Sequence, residues 1–106
     1  MQNILKYSLE LKKGILTEKI LTLEIYKESP KFYFVSNSHP SKIHKEEDIN
    51  VLSFWEQNRS IDTLLAWIYL ESEELIPKYR ELILSRFKNI LLEDKEKIEL
   101  NLMCFN

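Results

Sequence analysis

His39, Ser41, Lys42, His44, Lys45, Glu46, Glu47 and Asp48 are the densest run of side chains able to do chemistry in this chain of 106 residues. Two imidazoles and a lysine are the groups with which a small ribonuclease supplies acid, base and phosphate ligand. That chemistry needs histidines that titrate near neutral pH, with both rings beside one phosphate. Ser41, His44 and Asp48 have the residue types of a nucleophile, a base and its orienting acid, but no glycine elbow accompanies the serine. As metal ligands, His39 and His44 flank Pro40 at a spacing that fits neither successive helical turns nor a zinc finger, and no cysteine is near them. The segment reads as a solvated polar loop. A protein that is not an enzyme is expected, with no catalytic residue, no metal and no cofactor.

The stronger candidate is a surface. Tyr26, Lys27, Lys31, Tyr33, Lys42, His44 and Lys45 mix cations with aromatic rings on what read as neighbouring strands. Nucleic-acid-binding sheets use this mixture, stacking bases on rings while cations meet phosphates. Alternation along Lys31-Phe32-Tyr33-Phe34-Val35 offers a competing reading, in which Phe32 and Phe34 enter the core while Lys31 and Tyr33 cover the sheet. Trp55 and Trp67 sit beside Phe54 and Ile68. Each is either a core residue or, if exposed, an anchor for a partner. Cys104 falls on the apolar phase of its segment and reads as a small core residue.

The elements that position these groups follow from periodicity. Leu5, Tyr7, Leu9 and Leu11 alternate with polar neighbours, as do Leu21, Leu23 and Ile25, which predicts strands over 4–12 and 19–27. Lys12-Lys13-Gly14 is the turn between them, a hairpin with Gly14 able to take positive φ. A third strand is expected over 31–35 and a short fourth over 42–44, separated by the loop 36–41. The spacing of Ile49, Leu52 and Trp55, with Asp48 as cap, predicts a short helix within 46–58. Residues 61–70 fit helix and strand alike by spacing.

Tyr79, Leu82, Ile83, Phe87, Ile90 and Leu91 then share one side of a helix over about 73–92. Ser72 is placed to cap it, and Pro77 either perturbs the first turn or delays the regular helix to its own position. Ile98, Leu100, Leu102 and Cys104 alternate again and predict a final strand, with a helix continuing from Asp94 as the rival. The expected fold is α+β: an antiparallel sheet packed against one long amphipathic helix, in a single domain spanning 1–106.

The net charge of −2 hides an asymmetry. Residues 1–45 hold eight Lys against four Glu, net +4, and residues 46–106 hold seven Lys and Arg against thirteen Asp and Glu, net −6. A basic sheet can face a nucleic acid or an acidic partner, although +4 is a small electrostatic footprint. With Gly14 as the single glycine, the glycine-rich loops that bind nucleotide phosphates are excluded. A lone cysteine points to a reducing compartment, and the absence of an apolar leader or membrane-length run points to the cytoplasm.

Pro30-Lys31-Phe32-Tyr33 after a hairpin, then Lys42-Ile43-His44-Lys45-Glu46-Glu47-Asp48-Ile49, then the Trp67-containing run Leu64 to Leu70 feeding Ser72 to Leu92, resemble small proteins of phages and mobile elements in AT-rich bacteria. The resemblance covers about residues 5–92 and departs at the C-terminus. It implies a strand over 63–70 and a small accessory or anti-host binding role, and it transfers no catalytic residue. The function expected is protein binding by surface occlusion, with Tyr26, Lys31, Tyr33, Lys42, His44, Lys45 and Trp55 as candidate contacts. A nucleic-acid-binding sheet is the alternative, and a His-dependent nuclease the remote one. No membrane partner is expected, and the oligomeric state stays open.

Overall fold

The computed structural model describes residues 2–37, 41–55 and 61–103. Among these described residues six strands form one antiparallel sheet: β1 (Asn3–Lys12), β2 (Ile15–Glu28), β3 (Phe32–Val35), β4 (Lys42–His44), β5 (Asn50–Trp55) and β6 (Ile61–Leu70). Their order across the sheet is β4-β3-β2-β1-β6-β5. A single 3-10 turn, Glu73–Leu75, leads into one helix, α1 (Ile76–Met103). The sheet and helix expected from the sequence are therefore both present, as are the hairpin and the short strand at 42–44.

The hairpin is built around Lys13 and Gly14, which take φ of 49° and 80°. Two consecutive positive φ values give the turn whose twist matches that of its flanking strands, and Gly14 supplies one of them without a Cβ penalty. β1 and β2 then pair without interruption from Lys12↔Ile15 to Asn3↔Glu24.

Neighbouring residues on a strand point to opposite faces, and this chain uses both. Leu5, Tyr7, Leu9, Leu64, Ala66, Ile68 and Leu70 form one core with Ile76, Ile83 and Phe87 of the helix. Ile4, Leu23, Ile25, Tyr33, Val35 and Ile43 form a second, with Tyr69 against it. Ile4 beside Leu5, and Tyr69 beside Leu70, place the two cores on opposite sides of the sheet. The helix covers one side, and β3–β4 fold over the other.

The connection from β4 to β5 forces this curl. Five flat strand spacings of about 4.8 Å would put the outer strands roughly 24 Å apart. The six chain steps from His44 to Asn50 reach only about 20–22 Å when fully extended. Arg86 of α1 holds this crossover, donating to the Ile49 carbonyl and pairing with Asp48, both at 3.4 Å.

Four expectations are corrected. Residues 50–55 are strand, not helix: β6 offers them a full antiparallel partner, from Asn50↔Trp67 to Trp55↔Ile61. The final strand is absent, because α1 continues through the described residues to Met103. Glu93 to Leu102 holds no glycine or proline, so an established helix propagates through good helix formers. Ser72 makes no side-chain capping bond, and its carbonyl instead accepts the Leu75 N–H of the 3-10 turn. Regular helix starts at Ile76 with Pro77 in its first turn, where the missing N–H costs nothing. Finally, Tyr33 and Val35 enter the core while Phe32 and Phe34 lie on the outer face half-buried, reversing the expected phase. Residues 61–70, which fit helix and strand alike by spacing, form β6, and it includes the strand over 63–70 that the resemblance implied.

α1 runs over β6 and β1 and passes the turn of the hairpin, where Leu91 lines a small cavity with Gly14, Leu11 and Ile61. About twelve further residues at 1.5 Å each carry it roughly 18 Å beyond, and the molecule is elongated, 63 × 23 × 21 Å. No described helix is long and apolar enough to cross a membrane.

Candidate functional site

The pairing of β2, β3 and β4 assembles the sequence-predicted residues. Register places Lys27, Phe34 and Lys42 in one cross-strand row and Phe32 beside His44 in the next. A shift in pairing between Ile25 and Lys27 leaves Tyr26 as the extra residue of a bulge, 59% exposed. Bulges re-aim a side chain in this way. Tyr26 lies 6.4 Å from Phe34, Phe34 lies 6.5 Å from Phe32, and Phe32 meets the His44 ring edge-on at 5.0 Å.

Lysines cover these rings: Lys42 Nζ stands 4.1 Å above Phe32 and Lys27 Nζ 5.3 Å above Phe34. Ammonium groups are held over ring faces by the aromatic quadrupole. The result is a strip of three rings, Tyr26, Phe34 and Phe32, bordered by the His44 imidazole and two ammonium groups, on the outer face of the sheet. The His44 Nδ1 accepts the Glu46 N–H, which ties the ring to the turn that follows β4.

Not every candidate joins the strip. Tyr33 is buried in the second core, and its hydroxyl donates to Glu71 at 3.0 Å. Burial first, and that hydrogen bond second, push its pKa up. Lys45 pairs with Glu28 and stands 4.9 Å over the Tyr33 ring, on the core side of β3. Lys31 is exposed at the turn before β3. Trp55 ends β5 opposite Ile61, and its side chain lies outside the described part. His39 and Cys104 also lie outside the described residues. Trp67 is half-buried on the sheet face away from α1, with Lys6 Nζ 5.5 Å over its ring.

A polar cleft of about 450 Å³ opens at the second core, on the face of β3 opposite the strip, lined by Gln2, Asn3, Ile4, Ile25, Glu28, Tyr33 and Glu71. Among the described residues no group of three His, Cys, Asp or Glu side chains is arranged to hold a metal ion.

A second polar cluster joins the hairpin to the helix. Arg80 of α1 pairs with Glu18 and donates from Nε to the Tyr7 hydroxyl at 3.3 Å. The Arg80 hydrogen bond, with Tyr7 adding to it, holds the Glu18 carboxyl below its ordinary value of 4.5, while burial above all pushes Tyr7 up. The Ile49 N–H, and then Arg86, hold Asp48 below its ordinary 3.8. Burial, then the charge of Glu47, raises Tyr69. Each of these shifts moves its group further from neutral pH, the opposite of what a general acid or base requires.

The two lowered carboxyls set a pH dependence. A carboxyl whose folded pKa lies below its unfolded one adds stability in full above the unfolded value, and that stability is lost as pH falls through the folded value. The melting temperature is therefore expected to hold down to about pH 4.5 and then fall. Glu18→Gln is expected to flatten that acid limb and leave melting near neutral pH almost unchanged, since the pair is surface-exposed. Melting curves from pH 7 to pH 2 would show this, and an acid limb of the same steepness in the variant would contradict it.

No family model, curated protein or solved structure matches the chain. Sequence reasoning named the strip's cations and Tyr26 but sent its two phenylalanines to the core. The missing signal was parity: Val35 and Ile43 are aliphatic, lie on the same face as Tyr33, and fix that face as buried.

Proposed function

We propose that the protein is a non-catalytic binding module that occludes a surface of another protein, in the manner of an accessory or inhibitory factor of a phage or mobile element. The observation that carries this reading is the strip of Tyr26, Phe32 and Phe34 framed by Lys27, Lys42 and His44. Aromatic rings at the centre of a patch, here exposed Tyr26 with half-buried Phe32 and Phe34, supply large contact area at low entropic cost. The surrounding ammonium groups favour a partner that presents carboxylates. The pKa shifts directed away from neutrality, and the resemblance to small mobile-element proteins, support a role without catalysis.

The test is capture from a lysate of an AT-rich bacterial host by the wild type and by a Tyr26→Ala, Lys27→Glu, Lys42→Glu variant. These three side chains are exposed on the sheet, so folding is preserved, as circular dichroism would verify. The expected result is at least one stoichiometric protein retained by the wild type and lost by the variant. An identical set retained by both would overturn the assignment of this face.

Nucleic-acid binding is the second reading, favoured by the same mixture of rings and cations. It fits less well, because Lys42 and Lys27 already stand over the ring faces on which bases would stack. It requires binding to single-stranded oligonucleotides that weakens steeply with salt and is lost with Lys27→Glu and Lys42→Glu.

A further inference from the structure

β2 carries an open edge, and its geometry points to a second copy of this chain as the occupant. β3 pairs with β2 only from Ile25 to Glu28, and among the described residues no strand pairs with the outer edge of Ile15–Leu21. Backbone directions identify which groups that edge presents. The Glu24 N–H donates to Asn37 Oδ1, the Glu24 carbonyl accepts the Ser36 N–H, and the Thr22 carbonyl accepts Asn37 Nδ2, all on the β3 side. The Ile25 N–H turns the other way, to the Gln2 carbonyl. Alternate residues of an antiparallel strand direct their N–H and C=O to the same side. Leu16, Glu18 and Ile20 therefore direct theirs outward. Asn37 closes the edge at Thr22, acting as a one-residue substitute for a further strand.

We infer that two copies pair antiparallel along Ile15–Leu21, with the two-fold axis at Glu18. A two-fold axis that joins two identical edges in one antiparallel sheet must stand perpendicular to the sheet. Each residue then faces one of the same parity, and only a few registers remain. The register centred on Glu18 is the one the side chains match. It sets Ile15 opposite Leu21 on one face, Leu16 opposite Ile20 on the other, and Thr17 opposite Lys19, each pair occurring twice.

All four aliphatic residues are 41–68% exposed in the single chain, and this register places each against another. A shift of one step, centred on Lys19, would oppose two lysines and set Glu18 against Ile20. At the Glu18 axis the two carboxylates meet, but each already pairs with Arg80 of its own chain, so the cluster is neutral. The three outward pairs exchange about six interchain backbone hydrogen bonds, two for each pair. The segment used is the whole of the open edge and stops where Asn37 begins. Long apolar edges left open invite pairing with another chain, and here the pattern is symmetric about its own midpoint.

The test is sedimentation equilibrium of the full chain over a wide concentration range, alongside two edge variants and one cross-linking variant. The wild type is expected to move from 12.8 kDa toward twice that mass as concentration rises. Leu21→Lys, at an exposed site, and Ile20→Pro, which removes an outward N–H and leaves the β1 ladder intact, are each expected to hold the chain monomeric. In a Cys104→Ser background, Glu18→Cys is expected to form an interchain disulfide under mild oxidation. Residues facing as a hydrogen-bonded pair lie about 5.5 Å apart between Cα atoms, within disulfide reach. Thr17→Cys alone is expected not to cross-link, because it faces residue 19. A wild type that stays monomeric at the highest concentration, a dimer unaffected by Leu21→Lys, or cross-linking at 17 in preference to 18 would each overturn the inference. None of these outcomes bears on the outer strip of β3 and β4, which lies off this edge.

Discussion

Phe87→Ala is expected to lower the stability of the fold by roughly 3–5 kcal/mol, the usual range for removing a large aromatic ring from a core. Phe87 is 2% exposed and packs from α1 into the cluster that includes Tyr7, Leu9, Leu64 and Ile83. No described neighbour can fill the space cheaply, because β1 and β6 beneath it are locked by pairing on both sides. A small domain has about 5–15 kcal/mol in all, so the loss is a large share. At roughly 4–8 °C per kcal/mol the melting temperature should fall on the order of 15–30 °C. Leu92→Ala on the same helix is the control. Leu92 is 48% exposed and should change stability by under about 0.5 kcal/mol. A thermal shift of similar size for both variants would show that the helix does not pack through Phe87.

Val35→Asp is expected to melt one part of the molecule and spare the rest. Val35 is 1% exposed among the apolar side chains of Ile4, Leu23, Ile25 and Ile43 and the ring of Tyr33. Burying an unpaired charge costs several kcal/mol, which a small satellite core cannot absorb. That core lies on the face of the sheet opposite the helix, so its loss need not open the first. Hydrogen exchange should lose protection over 32–35 and 42–44 and retain it in β1, β6 and the first half of α1. Phe87→Ala, by contrast, should reduce protection throughout. Uniform loss in both variants would mean that the two cores unfold as one unit, with the Tyr33–Glu71 bond and the Arg86 clamp on Asp48 coupling them.

Legibility in the sequence differed by element, for identifiable reasons. β1 beyond Ile4 and the core-facing side of α1 were legible because one face of each is buried and the other is more open, which writes a clean period into the residues. β5 was misread because Ile49, Leu52 and Trp55 have helical spacing by coincidence: Ile49 packs toward the helix, whereas Leu52 is exposed on the other face. The strip suffered from the opposite problem. Phe32-Tyr33-Phe34-Val35 is apolar at every position, so only the flanking Lys31 suggested a phase, and Lys31 lies before the strand and does not set it. The last strand was inferred from alternation in a segment that helix propagation claims instead, for want of a breaker after Leu92.

By itself, the sequence determined the local elements that turn chemistry and one-sided burial enforce: the Lys13–Gly14 hairpin, the amphipathic helix, the short strand at Ile43, and the exclusion of glycine-rich phosphate loops. Tertiary structure alone decided which face of β3 is buried, that the sheet carries cores on both sides, that Arg80 meets Glu18, and that the outer edge of Ile15–Leu21 is left open. Those outcomes depend on which strand lies beside which and in what register. Pairing between segments distant in the chain leaves no period in either segment alone, so only the assembled sheet records it.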